Sequence, residues 1–184
     1  MPAGLLRKAW DERDEILDAL DRLPQVFSHQ DAFVRNLFAQ RMPGGGDQLV
    51  GVDWSYSGPA PLGSELTALV GASMFLGTIP FSEAGRLEQL AVEGYLAGLD
   101  DAGWRGNPDL VRFGYIAGHF WRYFLGALIG EGTSIFLDER YHPLALRAFG
   151  CDSMDQLADY IGSQAGWNLR MYEETFRLKK ALKL

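Results

Sequence analysis

Residues 28–38, Ser28-His29-Gln30-Asp31-Ala32-Phe33-Val34-Arg35-Asn36-Leu37-Phe38, decide how this chain is read. They set His29, Asp31 and Asn36 in the spacing H-x-D-x-x-x-x-N. Seventeen residues after Asn36 comes Val52-Asp53-Trp54, an aspartate at the end of an expected strand. Phosphoryl transfer needs a carboxylate to orient an attacking hydroxyl and take its proton, and hard oxygen ligands to hold magnesium on nucleotide phosphates. Asp31 suits the first role, and the Asn36 amide oxygen and the Asp53 carboxylate suit the second. A His-x-Asp pair alone carries little information, and so does one aspartate after a strand. Their ordered combination carries more. The bland alternative makes His29 a packed histidine, Asp31 a turn residue and Asp53 a cap.

The surrounding sequence predicts a fold that is mainly α with a small β-hairpin region (α+β). Gln25 to His29, Asn36 to Ala39 and Gln48 to Val52 read as short strands, with Arg41-Met42-Pro43-Gly44-Gly45-Gly46-Asp47 as a hairpin turn. Residues 5–22 read as one amphipathic helix ended by Pro24. After Gly63 the chain is expected to be a helical bundle, 64–184. Ser82 is expected to cap a helix to about Asp101, Asn107-Pro108-Asp109 to start one running to about 130, and Ser153 with Gln156 to open one over 153–182. Gly94/Gly98 and Gly114/Gly118 are expected at close helix contacts, since glycine inside a helix costs about 1 kcal/mol relative to alanine. No repeat or linker interrupts the chain, so residues 1–184 are expected to form a single domain.

Composition narrows the function. The 184 residues are 47% hydrophobic and 22% charged, enough apolar material for a buried core. Seventeen basic against 24 acidic side chains give a net charge of −7, which disfavours nucleic acid as a partner. The single cysteine, Cys151, excludes an internal disulfide. The most apolar stretch, Phe113 to Gly130, carries His119 and Arg122 and is too interrupted for a membrane span. The charged N-terminus does not resemble a signal peptide, so a cytoplasmic location is expected.

The residues at 29–38, Gly51-Val52-Asp53-Trp54 and Gly58-x-x-x-x-Gly63-Ser64-Glu65-Leu66 resemble the aminoglycoside phosphotransferase and choline kinase-like family, distant relatives of protein kinases. That family usually reads H-G-D-x-x-x-x-N, then I-D-W, then a glycine-containing loop and an acidic residue opening a helix. Here Gln30 replaces the glycine and Glu65 the more usual aspartate. The resemblance implies a catalytic loop at 29–36, a metal segment at 51–54, Asp31 as catalytic base, and Asn36 and Asp53 as Mg²⁺ ligands. His29 and Glu65 would support the catalytic loop structurally. The implied reaction moves the ATP γ-phosphate to a small-molecule hydroxyl acceptor.

The resemblance covers the family's C-terminal lobe. Only 28 residues precede His29, and their one lysine is Lys8, so the N-lobe with its phosphate-covering loop, strand lysine and adenine hinge is expected to be missing. The chain then reads as a fragment, a truncated gene product or a degenerate relative. It is expected to be inactive alone, with Mg²⁺ and ATP engaged only when an N-lobe is present. Self-association through the missing-lobe face is a further expectation, with Leu5, Leu6 and Trp10 as its candidates. The alternative function is a non-catalytic helical binding module that keeps the loop as a relic.

Overall fold

The computed structural model describes residues 3–125 and 133–184. It is mainly helical, with two small antiparallel sheets of two strands each. The chain contacts gather into two compact units, Met1–Arg22 with Ile116–Leu184, and Leu23–Tyr115.

Leu23–Tyr115 begins with β1 (Gln25–Ser28) and returns through β4 (Gly58–Pro61), paired from Gln25↔Pro61 to Ser28↔Gly58. Nested between them are β2 (Leu37–Arg41) and β3 (Asp47–Gly51), paired from Leu37↔Gly51 to Arg41↔Asp47. Residues 42–46 form the expected turn, with Gly45 and Gly46 both at φ 87°. No helix follows this glycine run, so it is a hairpin turn and not a phosphate loop. β4 is absent from the sequence reading because Pro59 and Pro61 argue against a strand. The ladder accepts both, since Leu62 N–H bonds Pro24 C=O at 2.9 Å and fixes the alternation. The prolines then fall at positions that donate nothing to β1.

Beyond β4 the chain turns at Gly63 and becomes helical. A π-helical stretch, Thr67–Ala72, leads into α3 (Ser73–Phe75), and α4 (Ala84–Asp101) and α5 (Pro108–Gly118) follow. Leu62, Leu66, Val70, Met74, Val111 and Phe113 form the buried core of this unit. Gly114 meets its expectation, because a Cβ there would run into the Leu62 carbonyl oxygen. Gly94 and Gly98 do not: both are exposed, with open space where a Cβ would stand. Asn107 caps α5 through its Oδ1, which accepts the Asp109 N–H at 2.9 Å. Ser82 does not cap α4. It lies in a 3₁₀ turn, Phe81–Glu83, and the helix starts after Glu83 without a side-chain cap.

The other unit holds α1 (Ala3–Asp11), α2 (Arg13–Asp21), a π-helical stretch His119–Leu125 that continues α5, then α6 (Thr133–Leu137), α7 (His142–Phe149), α8 (Met154–Ser163) and α9 (Ala165–Leu182). The expected helix over 5–22 divides at Glu12. Backbone bonds continue through it, Glu12 N to Lys8 O at 3.0 Å and Ile16 N to Glu12 O at 3.3 Å. The expected helix over 153–182 likewise divides at Gln164, whose carbonyl accepts both the backbone N–H and the side-chain amide of Asn168. Ser153 caps α8, and Gln156 returns its Oε1 to the Asp152 N–H at 2.7 Å, one residue earlier than in the usual capping box. Residues 126–130 of the helix expected from 107 lie outside the described residues. Phe120, Trp121, Tyr172 and Phe176 pack as an aromatic cluster, with ring centroids 5.1–6.2 Å apart across its Phe120–Tyr172, Trp121–Tyr172, Trp121–Phe176 and Tyr172–Phe176 pairs. No helix among the described residues is long and apolar enough to cross a membrane.

Candidate functional site

The nested ladders dictate where the motif residues fall. Residues 29–36 run from the outer ladder to the inner one, and residues 52–57 run back between the same two ladders. The two connections therefore lie side by side, although their residues are distant in sequence. Val52 stitches them together: its N–H donates to Asn36 C=O at 3.0 Å, and its C=O accepts from His29 Nε2 at 2.8 Å. A carbonyl oxygen can only accept, so Nε2 is a protonated nitrogen of the His29 ring. The ring is buried and packs on Trp54, centroid to centroid 4.5 Å, with Gly51 beneath both.

Asp31 and Asn36 are in direct contact. The Asn36 amide Nδ2 donates to Asp31 C=O at 3.0 Å and to Asp31 Oδ2 at 2.9 Å. Two acceptors on one side fix the amide's orientation and turn Asn36 Oδ1 away from Asp31. Both side chains are half-buried.

Asp53 is exposed and left-handed, at φ 60° and ψ 66°. It heads a 3₁₀ turn, Trp54–Tyr56, without capping it. Its Oδ1 instead accepts the Ser55 hydroxyl at 2.7 Å. Gln30 is also left-handed, at φ 61°. Its N–H donates to Glu65 Oε2 at 3.3 Å, and the same oxygen accepts the Ser28 hydroxyl. Glu65 thus braces the start of the 29–36 connection from the far side of β4. Nearby, Tyr95 takes the Gly63 N–H on its hydroxyl oxygen at 3.3 Å. Burial raises the Tyr95 pKa, the Gly63 bond opposes that rise, and the Glu65 charge adds to it.

The sequence alone assigns no role to Ser28, Ser55 or the Val52 backbone. Only Asp53-x-Ser55 leaves a local signal, a hydroxyl donor two residues from a carboxylate acceptor. Elsewhere, Asp100 pairs with Arg105 at 2.8 Å, Cys151 is half-buried, and His119 is buried against Asn168 Oδ1 at 3.0 Å. Among the described residues no group of three or more His, Cys, Asp or Glu side chains is arranged to hold a metal ion. A magnesium site here would rest on Asn36 and Asp53 with non-protein ligands. That suits an ion that keeps waters and substrate phosphates in its shell. No family model, curated protein or solved structure matches the chain.

Proposed function

We propose that this chain is the catalytic lobe of an ATP-dependent small-molecule phosphotransferase of the aminoglycoside phosphotransferase and choline kinase-like type. The observation that supports this reading best is the pair of side-by-side connections stitched at Val52, with Asn36 bonded both to Asp31 and to the residue before Asp53. The left-handed backbone at Gln30 adds support, because the family motif has glycine at that position.

In this reading Asp31 orients the acceptor hydroxyl through its carboxylate and takes its proton as the oxygen attacks. Asn36 has two functions: its amide nitrogen holds Asp31 in place, and its Oδ1 is left for the metal. Asp53 offers its unpaired Oδ2 to the same ion. Magnesium, when bound, neutralises charge on the β- and γ-phosphates. His29 and Glu65 act through the backbone, fixing the distance between the connections and the start of the loop. Grip on adenine and on the phosphates is assigned to an N-lobe outside these residues.

The test is a fusion of this chain behind the nucleotide-binding lobe of an aminoglycoside phosphotransferase. With Mg-ATP and a panel of hydroxyl acceptors it is expected to release ADP in step with acceptor phosphorylation. Asp31→Asn should lower turnover about 10²–10⁴-fold with little change in ATP affinity. A fusion that binds ATP and turns over equally with and without Asp31 would sink the assignment.

A further inference from the structure

The Asp53 carboxylate is exposed, and an exposed carboxylate on a flexible side chain makes a poor ligand for an ion that demands near-ideal octahedral geometry. Its backbone is well fixed. Val52, one residue before, is bonded on both its N–H and its C=O. Trp54, one residue after, donates its indole N–H to Gly51 C=O at 3.0 Å and packs on His29. The carboxylate itself has one protein partner among the described residues, the Ser55 hydroxyl at 2.7 Å on Oδ1. An aspartate at the head of a helical turn ordinarily spends its oxygens on the turn's own N–H groups, and Asp53 does not.

We infer that Ser55 is a positioning residue for Asp53, an inference that rests on the magnesium reading above. Its hydroxyl occupies Oδ1 and sets the carboxylate plane, so that Oδ2 alone is presented and the ion is held by one oxygen. This is the outer-layer hydrogen bond that oriented metal carboxylates usually carry, and losing such a partner typically costs about 10–100-fold in metal affinity. The hydroxyl also fixes two side-chain torsions on an exposed residue before the ion arrives, which lowers the entropy lost on binding. Threonine would keep the donor, whereas alanine would remove it.

The experiment titrates the full 184-residue chain with Mn²⁺ to millimolar concentration, because two protein ligands without nucleotide phosphates hold such an ion weakly, and reads paramagnetic broadening of the Asn36 side-chain amide signals by NMR. The unsubstituted protein is expected to show broadening that Asp53→Asn abolishes. Ser55→Ala should move the Mn²⁺ midpoint about tenfold higher, and Ser55→Thr should leave it within about twofold, with equal thermal midpoints for all three proteins. Broadening that depends on Asp53 but is the same in Ser55→Ala overturns the positioning role and leaves the metal site standing. Broadening that is absent, or that survives Asp53→Asn, overturns the site itself and the positioning role with it.

Discussion

Two residues near the stitched connections, Gln30 and Asp53, have left-handed backbones at φ 61° and 60°. A residue with a Cβ pays about 1–2 kcal/mol for that conformation, and glycine does not. The usual order of substitutions should therefore invert. Gln30→Gly and Asp53→Gly are expected to be more stable than Gln30→Ala and Asp53→Ala by about 1 kcal/mol each, measured by denaturant unfolding. Equal stabilities would mean that the backbone at these positions is not left-handed in solution. A second residue-scale effect lies at Tyr172, whose hydroxyl donates to Glu12 Oε2 at 2.5 Å. Burial first, and then the Glu12 carboxylate, push its pKa above the usual tyrosine value. The folded protein therefore keeps this proton where the unfolded chain gives it up. The contribution is complete below about pH 10, the unfolded value, and falls away as pH rises through the higher folded one. Unfolding free energies measured from pH 9 to 12 should decline less steeply in Tyr172→Phe. Parallel curves would remove Tyr172 from the alkaline transition.

At the scale of elements, the turn after β4 is set by two backbone contacts. Gly63 has φ 88°, and a Cβ there would strike the Val111 carbonyl, while a Cβ on Gly114 would strike the Leu62 carbonyl. Neither obstacle is the end of a flexible side chain that could swing aside. Gly63→Ala and Gly114→Ala are each expected to cost about 3 kcal/mol, while Gly94→Ala in exposed α4 should gain up to about 1 kcal/mol from helix propensity. Thermal unfolding of the three variants checks the contrast, and a loss in Gly94→Ala would mean that this glycine has a packing partner after all. The same glycines mark what the sequence can tell. Four-residue glycine spacing looks identical in α4 and α5, and only the tertiary neighbour separates the exposed Gly94 and Gly98 from the crowded Gly114. The inner hairpin was legible because its glycine turn sits between apolar strands. β4 was not, because its two prolines hide a strand whose ladder needs no N–H at those positions. In the site, His29, Asp31, Asn36 and Asp53 were legible as a spaced motif. The Ser28–Glu65 contact, 37 residues apart in sequence, and the Val52 stitch were not, because they are consequences of two ladders being nested.

At the scale of the whole molecule, charge is unevenly shared between the two units. Residues 23–115 carry five arginines and no lysine against ten carboxylates, so −5 of the chain's −7 belongs to the unit that holds the candidate site. Four of the five arginines are already paired: Arg41 with Asp47, Arg86 with Glu83, Arg105 with Asp100 and Arg112 with Glu88. Arg35, exposed between Asp31 and Asn36, has no ion pair among the described residues. On the proposed reading, a nucleotide triphosphate approaching this unit would meet net repulsion, one uncommitted guanidinium, and two oxygen ligands for its magnesium. Phosphoryl transfer is mainly positioning and charge compensation, so this supply falls short of what the reaction needs. The 184-residue chain alone is therefore expected to bind Mg-ATP with a Kd no tighter than about 1 mM, a binding free energy of about −4 kcal/mol. It should form no ADP above background when hydroxyl acceptors are added. In the fusion described above, where the added lobe brings its own lysine, Arg35→Ala should still weaken Mg-ATP binding, and the loss should shrink as salt is raised. Calorimetry on both proteins reads these outcomes. Micromolar binding by the chain alone, with ADP formed, would mean that it grips the phosphates through groups other than those assigned. An Arg35→Ala fusion with unchanged affinity at low salt would show that this guanidinium stays in solvent.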